Sequence, residues 1–326
     1  MRFQSHTLNP AADEKTIFDC NQNEEEWSKD VPTIPEFYAN QEIFVTGGTG
    51  FMGKVLIEKL LRSCPDLKKI YVLIRPKKGK LIDERLRDVI DLPLFGPLRK
   101  FNPSIIDKLV PLAGDVTEIR LGLSDEDYAR MCNVSIIFHS AASVRFDDDL
   151  KYAVMMNTRG TREIMEFGKT LQNIKVLMHV STTYSHPELK VVGEKVHTPY
   201  ADWRKTIEIC EKIDEDFLNL STPKYTRFMP NTYTFTKALA EQIVDDHKDE
   251  LPLVMFRPSI VISSMKEPFP GWIDNFNGPV GLLIGSGLGI TRTMYCNPDN
   301  IADFTPVDIC IKAMIIAAWK RAHQPR

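Results

Sequence analysis

Of the nine tyrosines in this chain, only Tyr233 is followed by a lysine four positions later, Lys237. Positions four apart on a helix share a face, so a phenol and an ammonium at this spacing can reach into one crevice. A phenol with an ordinary pKa near 10 is a poor proton donor or acceptor at neutral pH; a neighbouring ammonium favours the phenolate and brings proton transfer within reach. The spacing alone also fits a half-buried aromatic beside an exposed lysine paired with Glu241, four residues further on. A second group of hydroxyls ends the apolar run of residues 175–180. There Ser181 or Thr182 could donate a hydrogen bond to a reacting carbonyl oxygen, although serine and threonine are also common as plain strand ends.

Such side chains need a rigid element to hold a reactant against them, and the stretch 42–75 supplies the pattern for one. Ile43, Phe44 and Val45 form a β-prone run, and Thr46, Gly47, Gly48, Thr49, Gly50, Phe51, Met52 and Gly53 turn the chain. Val55, Leu56, Leu60 and Leu61 then recur at helical spacing, and Ile70 to Ile74 read as a second strand. In this arrangement Gly47 permits the bend, Gly50 lets backbone approach a pyrophosphate, and Gly53 allows close packing of the helix on the sheet. The helix N-terminus offers free N–H groups and a positive dipole end to phosphates. A dinucleotide cofactor is the expectation. A site for NAD usually carries an acidic residue about 20 positions on, for the ribose 2′-hydroxyl. This chain has Arg75 there, with Lys77 and Lys78 following. A carboxylate would repel a 2′-phosphate whereas a guanidinium forks onto it, so Arg75, helped by Lys78, predicts NADPH.

The elements around these motifs alternate. Beyond Arg75 the sequence predicts strands near Lys108–Ala113, Val134–His139, Ile174–Ser181 and Leu253–Ile262, with helices in most of the gaps. That rhythm predicts an α/β fold with a doubly wound, mostly parallel sheet, Rossmann-like, whose ligand crevice lies at the carboxyl ends of the strands. The expected organisation is a disordered acidic and polar leader over 1–35, an NADPH-binding domain over 36–262, and a smaller substrate-binding lobe with a closing helix over 263–326. A length of 326 residues with 43% hydrophobic content can bury a large core. A net charge of −3 argues against non-specific nucleic acid binding. The six cysteines, at 20, 64, 132, 210, 296 and 310, show neither a Cys-x-x-Cys pair nor a metal-ligand spacing, so reduced thiols and no metal are expected. No apolar run reaches the length of a membrane span.

Taken together, the segments Phe44–Lys54, His139–Ala142 and Asn231–Lys237 resemble the extended short-chain dehydrogenase/reductases. Two further segments, Arg257–Val261 and Lys266–Asn275, resemble specifically the fatty acyl-CoA reductases of the animal, especially insect, type. The resemblance runs from about Ile34 to Trp319. It implies that Tyr233 is the proton donor, that Lys237 binds the nicotinamide ribose and tunes Tyr233, and that Thr182, or less favourably Ser181, is the hydroxyl partner. It also implies that Asp115 contacts the adenine, beside Val116, and that Ala141 and Pro258, with Ala142 and Ile260 in the same segments, border the nicotinamide. Asn157 falls in another family segment, where a helix-capping asparagine would look identical.

The implied reaction is NADPH-dependent reduction of a long-chain fatty acyl-CoA to a primary alcohol through an aldehyde. Acyl-chain selectivity is expected from residues 268–289, with Phe269 and Trp272 as walls of an apolar tunnel, although a loop packed over the core fits as well. Where the family usually follows its Ser-Thr pair with Ala-Tyr, then Cys or Ser and Asn, this chain has Thr183-Tyr184-Ser185-His186. The resemblance implies a further C-terminal region beyond Arg326, through which relatives associate with endoplasmic reticulum or peroxisome membranes. The rival readings are a thioester reductase domain for carrier-bound acyl chains, another enzyme of the same superfamily such as an epimerase or hydroxysteroid dehydrogenase, and a cofactor-binding sensor without turnover. Oligomeric state is left open.

Overall fold

A computed structural model describes residues 31–324 apart from 228, 298, 300 and 301. The leader expected over 1–35 therefore lies, except for its last few residues, outside the described residues, as does Cys20. From Ile34 the chain runs through α1 (Ile34–Tyr38), β1 (Glu42–Thr46), α2 (Phe51–Ser63), β2 (Lys69–Ile74), α3 (Ile82–Ile90), α4 (Gly96–Phe101), β3 (Leu109–Ala113), α5 (Asp125–Arg130) and β4 (Val134–His139). Then α6 (Leu150–Ala153) passes through a π-helical stretch (Val154–Arg159) into α7 (Gly160–Thr170), and β5 (Val176–Val180) follows. After the irregular stretch 181–202 come α8 (Trp203–Lys212), α9 (Glu215–Tyr225), α10 (Thr232–Asp246), β6 (Leu253–Phe256), β7 (Ile260–Ile262), α11 (Pro279–Gly287), β8 (Phe304–Pro306) and α12 (Val307–Ala322).

The first six strands form one parallel sheet in the order β3-β2-β1-β4-β5-β6. This is the doubly wound order, in which the direction of winding reverses between β1 and β4 and opens a crevice at their carboxyl ends. Side chains alternate across the sheet, as strand geometry requires. Ile43, Val45, Val72, Phe138 and Met178 face one core with α2 and α12, while Phe44, Leu73, Ile137 and Leu177 face another with α7 and α10. Because both faces are covered, the strands read as apolar runs rather than as an alternation of apolar and polar residues.

Two boundaries differ from the sequence expectation. The strand predicted over 253–262 is two strands: β6 completes the main sheet, whereas β7 pairs in parallel with β8 in a separate two-stranded sheet. Pro258, which has no N–H to give a ladder, sits at the break. The division expected at 262/263 is also crossed, since Val307, Ile311, Met314, Ile315 and Ala318 of the closing helix belong to the core that packs against α2 and the sheet. From Ile34 onward the chain is one compact unit.

Candidate active site at the strand ends

The glycine turn lies at the β1/β4 crossover. Gly47 has φ +73°, and a Cβ there would sit 2.7 Å from the Ala141 nitrogen. At Gly53 a Cβ would fall 2.2 Å from the Gly47 carbonyl oxygen and 2.7 Å from the Gly48 Cα. The first turn of α2 is thus folded onto the glycine turn itself, rather than onto the sheet as the pattern suggested. Gly50 caps α2 without a side-chain hydrogen bond, so the N–H groups over Phe51 and Met52 have no side-chain cap competing for them. A backbone cradle that any side chain would fill, ending in an uncapped helix N-terminus, fits a pyrophosphate.

Thr46, the first residue of the turn, is fixed by a buried chain of hydrogen bonds. Its hydroxyl lies 2.7 Å from Nδ1 of His139, whose Nε2 lies 3.2 Å from the Thr161 hydroxyl. Thr161 donates to the Asn157 carbonyl oxygen at 2.7 Å, which leaves it to accept from His139 and assigns the Nε2–H form of that ring. Asn157 is not a helix cap. It sits inside the π-helical stretch, a device common at functional sites. Its side chain accepts from the Ser143 N–H at 2.8 Å and donates to the Ser143 carbonyl oxygen and the Thr236 hydroxyl. The segment Ser140-Ala141-Ala142-Ser143 is thereby pinned beside the turn, with Ser140 donating to the Thr46 carbonyl oxygen and the Ala141 N–H to the Thr46 hydroxyl.

Arg75 stands at the end of β2, paired through Nε with Asp115 at 2.8 Å. Asp115 also accepts from the Thr117 N–H, and the buried Val116 packs against Gly160. Arg75 and Asp115 border a cavity of about 430 Å³ together with Lys151, Tyr152 and Arg159. These three come from α6 and the π-helical stretch; Lys151 and Tyr152 belong to no motif, and Arg159, in the same family segment as Asn157, was not singled out in the sequence. Lys78 is exposed and makes no hydrogen bond or ion pair among the described residues.

Tyr233 and Lys237 lie on one face of α10, which Asn231 caps by accepting from the Thr234 N–H. Lys237 is 2% exposed and donates to the Val180 carbonyl oxygen at 2.6 Å, at the end of β5. Burial lowers its pKa to about 8, against the pull of Glu241. The half-buried Tyr233 is raised by burial, and the Thr182 hydroxyl beside it draws it back down. Burial outweighs the Thr182 hydrogen bond, so the phenol stays above its ordinary value. Ser181 faces elsewhere and donates to Glu241. The surface pairing of Lys237 with Glu241 does not occur, because both are buried and the Glu241 carboxylate is held by Arg257.

Under Lys237 lie His139 and His179, register partners at the ends of β4 and β5 with ring centroids 5.3 Å apart. Burial and the Lys237 charge push His139 down to about 3 and His179 well below its ordinary value, so both are neutral. The Pro258 carbonyl oxygen accepts from the Thr183 N–H, which sets the break after β6 against the site, and Ile260 follows in β7. Trp272 and Phe269 do not line an open tunnel: Trp272 is buried and stacked on Phe51, and Phe269 packs against the same core. Among the described residues no metal-binding cluster occurs and no helix is long and apolar enough to cross a membrane.

The sequence profile of the family described as male sterility protein matches residues 45–314. Fatty acyl-CoA reductase 1 of Mus musculus is 44% identical over 90% of this chain and 58% of its own length. Fatty acyl-CoA reductase wat of Drosophila melanogaster is 42% identical over 90% of this chain and 57% of its own length. The chain thus spans somewhat over half the length of these relatives. Among solved structures, the reductase domain of a nonribosomal peptide synthetase from Mycobacterium tuberculosis superposes with a TM-score of 0.64 at 20% identity, covering 90% of this chain and 66% of its own. The terminal reductase domain of the myxalamid pathway gives 0.61 at 25% identity, over 85% and 61%. The profile covers most of the chain and, with the Rossmann-like sheet, establishes that the chain belongs to the male sterility protein family, in which it is similar to proteins named fatty acyl-CoA reductase.

Proposed function

We propose that this chain reduces long-chain fatty acyl-CoA to a primary alcohol with NADPH, through an aldehyde. The observation that supports it most directly is the meeting of Thr182 and Tyr233, two hydroxyls from distant segments, beside the buried cation Lys237. When bound, NADPH would supply the hydride. Thr182 and Tyr233 would donate hydrogen bonds to the thioester carbonyl oxygen as negative charge builds on it. The C–S bond then breaks, CoA leaves as the thiolate, and an aldehyde remains in reach of the same two hydroxyls. In the second reduction Tyr233 gives its proton to the alkoxide oxygen, and Lys237 stabilises the phenolate left behind. Gly47 to Gly53 would hold the pyrophosphate, and Arg75 at the cavity mouth the 2′-phosphate, with Lys151 and Arg159 facing the same space.

The test is direct. Purified protein is mixed with NADPH or NADH and palmitoyl-CoA, nucleotide oxidation is followed, and products are identified by mass. Two NADPH consumed per hexadecanol formed, with NADH inferior, is the expected result. Bound NADPH without oxidation above background, or turnover of an acyl-carrier protein in preference to acyl-CoA, overturns the proposal.

A further inference from the structure

Tyr233 and Lys237 are followed, one more helical turn along α10, by a third residue on the same face. Glu241 is fully buried, and its carboxylate is hydrogen-bonded from two other segments, with a histidine of a third close by. Arg257, just after β6, forks onto it with Nε at 2.8 Å from Oε1 and Nη2 at 2.8 Å from Oε2. Ser181, just after β5, donates its hydroxyl to Oε1. His186, in the irregular stretch, brings Nε2 to 3.5 Å from Oε2, while its Nδ1 lies 3.2 Å from Glu188 and its ring packs on His197. The remaining guanidinium donors of Arg257 close on the carbonyl oxygens of Gly193 and Lys195.

A buried ion pair is an inefficient way to gain stability, because the cost of removing both charges from water largely cancels their attraction. The position of this one suggests another use. Ser181 lies between Val180, whose carbonyl oxygen accepts a hydrogen bond from Lys237, and Thr182, the hydroxyl beside Tyr233. Anchoring Ser181 fixes both neighbours at once. The titratable groups around Lys237 are Tyr233 and Glu241 on its own helix and the neutral His139 and His179 on β4 and β5. The carboxylate is the anion that acts on it.

Building on the reductase reading, we propose that Glu241 is the positioning residue of the site: through Ser181 it aims Thr182 and the Val180 carbonyl, and it sets a fixed anion one helical turn from Lys237. Arg257 holds that carboxylate in place.

The experiment compares Glu241→Gln, Glu241→Asp and Ser181→Ala. For Glu241→Gln, kcat should fall about ten- to a hundredfold, with the alkaline limb of its pH profile moved down by about one unit, since an ammonium without its anion loses its proton more readily. Glu241→Asp should restore the limb while recovering only part of the rate. Ser181→Ala should lower kcat and leave the limb in place. The Lys237 titration is read separately by NMR in protein without cofactor or substrate, with Lys237→Arg identifying its signal. If the Lys237 titration midpoint does not drop in Glu241→Gln, or if rate is lost there with no movement of the limb, the proposal is overturned. Should Glu241→Gln not fold, an unchanged kcat in Ser181→Ala overturns the positioning role instead. Because the titration needs no acyl-CoA, a failure of the reductase reading and a failure of this inference are told apart.

Discussion

The indole of Trp272 stacks on the ring of Phe51 at 5.5 Å and 17°, which joins the family-diagnostic segment 266–275 to the glycine turn. Other contacts follow the same line. Asp274 pairs with Lys54, the residue after the turn, and Glu267 with Lys59, Arg62 and Lys312. Asp308 at the start of α12 accepts the N–H groups of Met265, Lys266 and Glu267 at 2.8, 3.0 and 3.2 Å. The segment is a strap across α2, the helix that starts at the glycine turn.

The strap makes a prediction about Trp272→Ala. Deleting a buried tryptophan typically costs about 3–5 kcal/mol, so unfolding should shift markedly to lower denaturant. Loosening Phe51 should weaken NADPH binding, whereas preference among acyl-CoA chain lengths should stay the same. A changed chain-length profile with intact cofactor affinity would return Trp272 to the substrate pocket.

Gly53→Ala should be as damaging to the cofactor site, for a different reason. Its Cβ would meet the Gly47 backbone at 2.2 Å, and neither atom belongs to a flexible side chain that can move away. Overpacking of this kind costs about 1–3 kcal/mol, or roughly a tenfold to hundredfold loss if it falls on NADPH affinity. Isothermal titration would measure it, and wild-type affinity would show that the turn tolerates a methyl group.

Tyr233→Phe separates proton donation from binding. The phenyl ring keeps the packing against Phe146, at 5.9 Å between centroids, and loses only the hydroxyl. Reduction should drop about a hundred- to ten-thousandfold, with the NADPH dissociation constant nearly unchanged. Turnover at the wild-type rate would exclude Tyr233 as the donor.

How far the sequence could go is visible in these residues. The glycine turn and the Tyr233/Lys237 spacing are local patterns, readable within one turn or one helix, and the strands flanking the turn are present within a residue or two. Lys151 and Tyr152 carry no pattern of their own and enter the site only because the winding order brings β1, β4 and α6 together. Glu241 was visible as a residue four after Lys237, but its real partner is Arg257, and no spacing rule links the ends of β5 and β6 to α10. Trp272 was left open for a related reason: an aromatic between prolines and glycines looks alike whether it lines a tunnel or covers Phe51.

For Arg75→Ala, cofactor discrimination is the readout. The guanidinium is about half exposed and held by Asp115, so it is already oriented at the cavity edge. Hydrogen bonds to charged groups are worth about 1.5–3 kcal/mol, so NADPH affinity should fall roughly ten- to a hundredfold while NADH affinity changes little. Equal losses for both nucleotides would mean that Arg75 shapes the pocket without reading the 2′-phosphate.

The two buried imidazoles set the acid limit of the fold. His139 has a folded pKa of about 3 against an ordinary 6.5, and His179 is also well below it, so between those values the unfolded chain binds more protons than the folded one. Stability must therefore rise with pH through that window, and fall on acidification below about 6.5, by about 1.4 kcal/mol per pH unit for each histidine. Glu241, lowered to about 2 by its partners, adds the same sign of dependence, but only below its ordinary 4.5. Urea denaturation between pH 7 and 4.5 thus reads the histidines alone of these three groups. His139→Gln keeps a donor and an acceptor for Thr161 and Thr46 while removing one titrating group, and should reduce the slope by about 1.4 kcal/mol per pH unit. An unaltered slope would mean that His139 takes up its proton without unfolding the strand ends, and the neutral ring would lose its place in the chain of bonds that fixes Thr46.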